Sequence, residues 1–334
     1  MYILDKYIDW LVAGGLSLIV YGIISIFDIN LISYGVAFTA FTLAQFINNP
    51  HFIASYGLLY VDERKRLFSN IYYIFVSSIV PVLLIGLFVY AVATKQPQII
   101  GLLVNLMFFM VGLHYIRQIY GIGLISLGKM KIFLPQHIKT ILNYSLFPTW
   151  FLSYLNGNSA VHINNFYGIT YSSFGLPTIL RDVNTILFYV SIFVWVGIIA
   201  YIVYTHKKWP ITLIIVLASI SLWHFPDFYN YGFSYLIPLF HSLQYMLIVA
   251  AVKRNQIGQE QKYLKYLVYM CTIGVIAYLV FRFIPEYLDK VMTYDRKMFG
   301  NTLYLAMFLM FINIHHYFID ALIWRKGSGV AKQV

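Results

Sequence analysis

Residues 311–325 read Phe-Ile-Asn-Ile-His-His-Tyr-Phe-Ile-Asp-Ala-Leu-Ile-Trp-Arg, inside an apolar stretch at 301–324 that is long enough to cross a bilayer as a helix. Desolvating an ionisable side chain is costly, so membrane helices rarely contain such residues. Here His315 and His316 are adjacent, and Asp320 follows one helical turn after His316. Ionisable residues at this depth indicate a functional site, whose other members must lie elsewhere in the chain.

The composition places the whole chain in a membrane. Of the 334 residues, 60% are hydrophobic and 10% are charged, which is typical of a polytopic membrane protein and excludes an ordinary soluble domain. The net charge of +11 could suggest nucleic-acid binding, but the basic residues fall in short loops between apolar segments. We therefore expect an integral protein of a prokaryotic cytoplasmic (inner) membrane, surrounded by lipid bilayer, with no nucleic-acid partner.

Ten segments have the apolar character of a membrane span, for which about 20 residues are needed. They cover residues 9–27, 31–50, 69–93, 99–126, 138–155, 184–204, 210–224, 234–252, 264–284 and 301–324. Runs this long favour helices over barrel strands. We predict an all-α bundle of about ten transmembrane helices in one domain, residues 1–326, followed by a short cytoplasmic tail at 327–334.

The loops predict the orientation of the bundle. Sixteen of the 23 basic residues lie in loops on one side and at the termini, five lie on the other side, and Arg117 and Arg282 lie within spans. Because basic loops stay in the cytoplasm, both termini are predicted to be cytoplasmic. On the outer side, residues 156–182 and 226–234 are rich in Gly, Asn and Ser, which predicts irregular connections.

Five of the nine histidines are predicted to share one depth in the bilayer. His51, His114, His241 and the pair His315 and His316 lie on the even-numbered spans, 10 to 15 residues before the next cytoplasmic basic residue. At 1.5 Å per residue this is roughly 15–22 Å, near the middle of the membrane. The other four lie in loops or at span ends and are expected to be exposed or interfacial: His137, His162, His206 and His224.

Neutral imidazoles from several helices suit iron, copper and zinc, so we predict a metal or haem site. The predicted ligands are His51, His114, His241, His315 and His316. Polar neighbours predicted to support the ligand rings are Asn48, Gln118, Gln244 and Asp320. Residues assigned to an apolar substrate pocket are Tyr115, Arg117, Tyr245 and Tyr317. Arg117 could instead neutralise Asp320, and Pro50 is expected to kink its helix and aim His51 inward.

Four short patches across most of the chain resemble the Brp/Blh family of bacterial and archaeal membrane β-carotene 15,15′-dioxygenases. They are Pro50-His51, Leu113-His114-Tyr115, Phe240-His241-Ser242, and His315 with Asp320 five residues later. The family's enzymes use non-haem iron to cleave carotene to retinal. The sequence departs from its pattern in two places. Tyr245 replaces the second histidine of a His-Ser-x-x-His motif, and His114 is followed by Tyr-Ile-Arg instead of Phe-Gly.

The resemblance implies an Fe(II)-dependent oxygenase that uses molecular oxygen on a carotenoid or another membrane-dissolved polyene, with His315 as the ligand from the last span. Two other classes remain open at this stage. One is a b-type haem subunit for quinone-linked electron transfer, with two axial histidines per haem. The other is a transporter or structural subunit whose histidines relay protons or a metal ion.

Overall fold

The computed structural model of the chain describes residues 2–27, 46–224, 233–256 and 262–325, with isolated positions between 28 and 45 and at 328 and 330. Within these residues we label eleven helices and two strands. The first helices are α1 Lys6–Ile26, α2 Asn48–Gly57, α3 Ile71–Ala93, α4 Pro97–Lys129, α5 Gln136–Ser145 and α6 Phe147–Gly157. Two strands follow, β1 Ile163–Phe166 and β2 Ile169–Ser172. The remaining helices are α7 Thr178–His206, α8 Ile211–His224, α9 Phe233–Gln256, α10 Leu264–Val291 and α11 Leu303–Ile323.

Seven of these helices are long and apolar enough to cross a membrane: α1, α3, α4, α7, α9, α10 and α11. The predicted helical fold is thereby confirmed, and the seven helices indicate an integral membrane protein. The eighth apolar helix, α8, has only 14 residues. The predicted span 31–50 lies mostly outside the described residues. Its predicted end was wrong, because α2 begins at Asn48 and continues as a π-helical turn through Leu58–Asp62.

Two further predictions need correction. The predicted span 138–155 is two helices, α5 and α6, which meet at Leu146 just before Pro148. The outer loop predicted to be irregular contains a hairpin in which Ile163 pairs with Ser172 and Phe166 with Ile169. Its turn residues, Tyr167 and Gly168, both have positive φ, 46° and 85°, as the tightest hairpin turns require. Of the second predicted loop, residues 226–232 lie outside the described residues.

Pro50 does not kink a helix either. It is the third residue of α2, where its missing N–H and fixed φ are tolerated. His51 therefore lies in the first turn of α2, and the Asn48 carbonyl oxygen at the start of that turn accepts a hydrogen bond from the His51 ring.

Irregular turns in α1 and α3 provide backbone acceptors within the membrane. Residues Leu11–Gly15 are kinked at Gly14, where φ is 153°, and Phe75–Ile79 form a π-helical turn. Three carbonyl oxygens in these segments accept side-chain hydrogen bonds: Ala13 from Gln244 at 2.6 Å, Val76 from His315 at 2.8 Å, and Ser77 from Tyr60 at 2.8 Å. A lipid core offers no water to these groups, so the side chains complete the backbone hydrogen bonding.

Two glycines permit the closest helix contacts. A Cβ atom at Gly112 of α4 would lie 1.3 Å from Cδ1 of Trp150, so the indole of α6 packs directly on the α4 backbone. A Cβ at Gly14 would lie 2.5 Å from Oγ of Ser219 in α8. The first approach packs α6 against α4, the helix that carries His114, and the second packs α1 against α8.

One face of the bundle, here called the terminal face, joins both ends of the chain to the basic loops. Four contacts define it: Arg254 to the Ile3 carbonyl at 2.9 Å, Lys253 to Asp62 at 2.8 Å, the Val330 N–H to Glu63 at 2.8 Å, and Lys208 to the Met130 carbonyl at 3.0 Å. Ile3 and Val330, near the two ends of the chain, therefore lie on the same side of the bundle.

Candidate metal centre

Four histidines from four helices meet in the interior of the bundle: His51 of α2, His114 of α4, His241 of α9 and His316 of α11. Their exposed fractions are 0%, 6%, 2% and 0%. The Nε2 atom of His114 lies 3.0 Å from Nε2 of His241 and 3.2 Å from Nε2 of His316. Ligand atoms of His51, His241 and His316 all lie within 4.8 Å of one another.

These separations match those of neighbouring ligands on one metal ion. Imidazole nitrogens bind first-row metals at about 2.0–2.2 Å, which places adjacent ligands about 2.8–3.1 Å apart around an octahedral ion and about 3.3–3.6 Å apart around a tetrahedral ion. Two lone pairs facing each other at such a distance repel unless a proton or a cation lies between them. The spacing of the Nε2 atoms therefore fits a shared metal ion.

Hydrogen bonds fix the His51 ring so that Nε2 keeps its lone pair. The Asn48 carbonyl only accepts, so His51 Nδ1 carries the proton and donates it there. Oγ of Ser242 lies 2.9 Å from the same nitrogen and is itself bonded to Oδ1 of Asn48 at 2.7 Å. Among the described residues, His51 Nε2 is buried without a hydrogen-bond partner. A metal ion would supply that partner.

The His316 ring is fixed in the same way. The Ser55 hydroxyl donates its single proton to the Phe52 carbonyl at 2.7 Å, so it accepts from Nδ1 of His316, also at 2.7 Å. Nδ1 therefore carries the ring proton, and Nε2 is unprotonated where it faces His114. Ser55 lies four residues after His51 on the same face of α2, so one helix both supplies a ligand and orients another.

Asp320 lies closer to the centre than predicted. Its Oδ2 is 3.6 Å from Nε2 of His316 and 3.7 Å from Nε2 of His114, and the three form a second group able to hold a metal. Its Oδ1 accepts a hydrogen bond from the Tyr245 hydroxyl at 3.0 Å. The Tyr245 hydroxyl thus orients the carboxylate toward the histidine nitrogens, and Tyr245 is the residue that departs from the resembled family.

His315 is turned away from the cluster. Its Nε2 donates to the Val76 carbonyl at 2.8 Å, which leaves Nδ1 to accept from the Tyr56 hydroxyl, also at 2.8 Å. Both ring nitrogens are therefore occupied. The preference for His315 over His316 as the ligand was wrong, because adjacent helical residues point about 100° apart and only His316 faces the other histidines.

The glutamines and Arg117 also differ from the predictions. Gln118 donates to the backbone carbonyl of His241 at 2.9 Å and to Gln244 at 3.2 Å, and Gln244 donates to Ala13, so their bonds join helices and bypass the ligand rings. Arg117 is exposed and donates to Oδ1 of Asn143 at 3.0 Å. It neither neutralises Asp320 nor lines a pocket at the histidines.

The three tyrosines assigned to the substrate pocket surround the cluster. The ring centre of Tyr115 lies 4.3 Å from that of His241, Tyr317 lies 4.8 Å from His114, and Tyr245 lies 5.2 Å from His51. The histidine rings are therefore packed against aromatic rings and are buried from water.

The sequence-based reasoning missed Ser55, Tyr56 and Ser242. A signal existed for two of them, since Ser55 follows His51 by one helical turn and Ser242 follows His241 directly. His224, predicted to be interfacial, is also buried. Its Nδ1 lies 3.2 Å from Oγ of Ser153.

Comparisons with family models, with curated proteins and with solved structures found no match to this chain. The interpretation of the site therefore depends on its own geometry.

Proposed function

We propose that this chain is a membrane-embedded non-haem iron oxygenase that acts on an apolar polyene such as a carotenoid. The observation that supports the proposal is the convergence of three Nε2 atoms and one carboxylate oxygen, at 3.0–3.7 Å, inside an apolar helix bundle. His51, with its unpartnered Nε2, would complete a set of four nitrogens and one oxygen.

The donor set suits iron. Imidazole with carboxylate binds Fe(II), copper and zinc, whereas the one cysteine, Cys271, is exposed and lies outside the cluster. Iron is favoured among these metals by the resemblance of the histidine patches to the carotene-cleaving family. Bound there, Fe(II) would supply the activation of molecular oxygen.

The protein's own residues would then bind the substrate and exclude water. Tyr115, Tyr245 and Tyr317 give the centre apolar walls against which an extended polyene can stack. The Tyr245 hydroxyl holds one carboxylate oxygen of Asp320 and leaves the other directed at the histidines. A membrane-dissolved substrate would approach from the bilayer, which already surrounds the helices.

The geometry disfavours the haem alternative. Two axial histidines lie on opposite sides of the iron, about 4 Å apart, with the porphyrin ring between them. Here Nε2 of His114 lies within 3.2 Å of Nε2 in both His241 and His316, so neither of these two pairs leaves room for a porphyrin between its rings.

Metal content and an optical spectrum test the proposal. We expect purified protein loaded anaerobically with Fe(II) to hold one iron per chain, to show no Soret band, and to convert β-carotene to retinal in the presence of oxygen. The His316→Ala variant serves as the matched control without a complete site. A Soret band would assign the protein to the haem class. Failure to bind any first-row metal would favour a transporter or structural subunit.

The proposal includes a ten-span topology in a prokaryotic inner membrane with both termini cytoplasmic. The contacts of the terminal face support it, since residues 3, 62–63, 130, 208, 253–254 and 330 all lie there. Each intervening stretch must then cross the membrane an even number of times. Two crossings in each of five stretches make ten, and the basic loops on this face assign it to the cytoplasm.

A further inference from the structure

A cavity of about 580 Å³ opens on the terminal face, where α2 leaves the apolar part of the bundle. Its lining residues come from the segment after α2 and from the C-terminal end of the chain: Val61, Asp62, Glu63, Arg64, Lys65, Arg66 and Val330. This volume lies within the range of small-molecule sites. None of the residues that line the cavity belongs to the histidine cluster, and the proposed metal chemistry does not use the cavity.

The two acidic residues of the cavity are already paired. Glu63 is 3% exposed, accepts the Val330 N–H at 2.8 Å, and forms an ion pair with Arg66 at 3.3 Å. Asp62 forms an ion pair with Lys253 at 2.8 Å. Their negative charges are therefore neutralised by two of the neighbouring cations.

Arg64 and Lys65 remain as excess positive charge. Among the described residues neither has an ion-pair partner, and both are exposed at the cavity. Two cations next to an open volume attract an anion, and an arginine fork matches the geometry of phosphate oxygens. Basic clusters at the cytoplasmic end of a membrane helix favour anionic lipids for the same reason.

We propose that this cavity binds a phosphate group carried by the headgroup of an anionic phospholipid, with Arg64 and Lys65 as its cationic contacts. The location selects the lipid source, because a helix end at the membrane boundary lies at the level of the headgroups. A bound headgroup would touch the turn that continues α2, and Val330 beyond α11. These two helices, α2 and α11, carry His51, His316 and Asp320. Such a ligand stabilises the folded protein by mass action, whether or not metal is bound.

The test uses the full-length, metal-free protein in detergent, so that its outcome is independent of the proposed oxygenase. Thermal unfolding is followed during titration with short-chain phosphatidylglycerol, with phosphatidylcholine, and with inorganic phosphate. We expect phosphatidylglycerol to raise the unfolding midpoint at lower concentrations than the other two ligands. Stabilisation by inorganic phosphate at equal or lower concentrations would identify a free phosphate as the ligand and overturn the lipid assignment.

Matched variants distinguish lipid binding in the cavity from lipid attraction by general surface charge. The double variant Arg64→Gln/Lys65→Gln should weaken phosphatidylglycerol binding by at least about tenfold, since each of the two basic residues contributes about fivefold near an anionic lipid. The control, Lys129→Gln/Lys131→Gln, removes the same charge from another loop and should change the affinity less than about twofold. Equal losses in both double variants, or no response of the wild-type protein to phosphatidylglycerol, would refute the site. Circular dichroism checks that each variant is folded.

Discussion

Replacing His316 or His315 with alanine distinguishes the two adjacent histidines, which the sequence alone could not. His316→Ala removes an Nε2 that lies 3.2 Å from Nε2 of His114, whereas His315→Ala removes a ring bonded to the Val76 carbonyl and the Tyr56 hydroxyl. The first change should strongly weaken metal binding and the second should preserve it. Each result follows from the direction in which the ring points.

The magnitudes differ enough to be measured. A structural metal bound by four protein ligands is worth about 10–16 kcal/mol, or about 3–4 kcal/mol per ligand, so His316→Ala should weaken metal binding on the order of 10²–10³-fold. His315→Ala loses two hydrogen bonds of about 1 kcal/mol each, together with ring packing. It should lower the unfolding midpoint of the metal-free protein by a few degrees and leave metal affinity within about threefold of wild type.

The assay is chelator competition on metal-stripped protein reloaded with Fe(II), or with Co(II), whose visible spectrum reports its coordination. His162→Ala is the control, because His162 is exposed near the outer hairpin and should change neither quantity. Retained metal in His316→Ala together with loss in His315→Ala would refute the assigned ring orientations. Equal loss in all three variants would show that misfolding, and not ligand removal, caused the effect.

Three further changes test the support of the centre and the fold. Tyr245→Phe removes the hydrogen-bond donor to Asp320 and should weaken metal binding about 10–100-fold. The control Tyr317→Phe removes a hydroxyl that is bonded to Asn313 and should leave metal binding unchanged. Equal affinities of the two variants in chelator competition would contradict this prediction. Gly112→Ala forces a methyl group into Trp150 and should lower the free energy of unfolding by about 1–3 kcal/mol. The control Gly121→Ala has open space around the new methyl group and should lower it less. Equal unfolding midpoints of the two variants would contradict the close packing of Trp150 on Gly112. A reporter fused to the C-terminus should be active only on the cytoplasmic side, and activity outside would overturn the topology.

The meeting of histidines from four helices could be predicted, because a common level along parallel helices depends only on the helical rise. Each of the four cluster histidines lies 9 to 15 residues before the first basic residue at the predicted cytoplasmic end of its span. In an apolar bundle, polar groups at equal depth gain by meeting one another, and the structure brings these four together.

The choice between His315 and His316 could not be made in this way. It depends on the rotation of α11 about its axis, which is set by contacts with Ser55 and Tyr56 on another helix. Both histidines find hydrogen-bond partners, so burial alone does not separate them. The role of Asp320 was underestimated for the same reason, since its distance to the rings depends on the Tyr245 hydroxyl.

Arg117 and the outer hairpin show two other limits. A long arginine side chain can extend out of a helix bundle, so the position of Arg117 in the sequence does not give the position of its charge. The hairpin was hidden because Gly and Asn in a polar segment resemble an irregular loop. The Tyr167-Gly168 pair between two runs with β-branched and aromatic residues was the available signal.

The carbonyl groups of Ala13 and Val76 have a consequence for biosynthesis. They belong to the first and third helices, yet their donors, Gln244 and His315, lie 231 and 239 residues further along the chain. Until α9 and α11 have been synthesised, the Ala13 and Val76 carbonyl groups lack these two donors, and the bilayer core contains no water to replace them. The Ala13 and Val76 carbonyl groups of the first and third helices therefore lack these side-chain donors early in synthesis. Insertion of α11 supplies the last donor, His315, and also adds His316 to the histidine cluster. Truncation before α11 should therefore leave a chain that inserts into the membrane but does not pack into the native bundle.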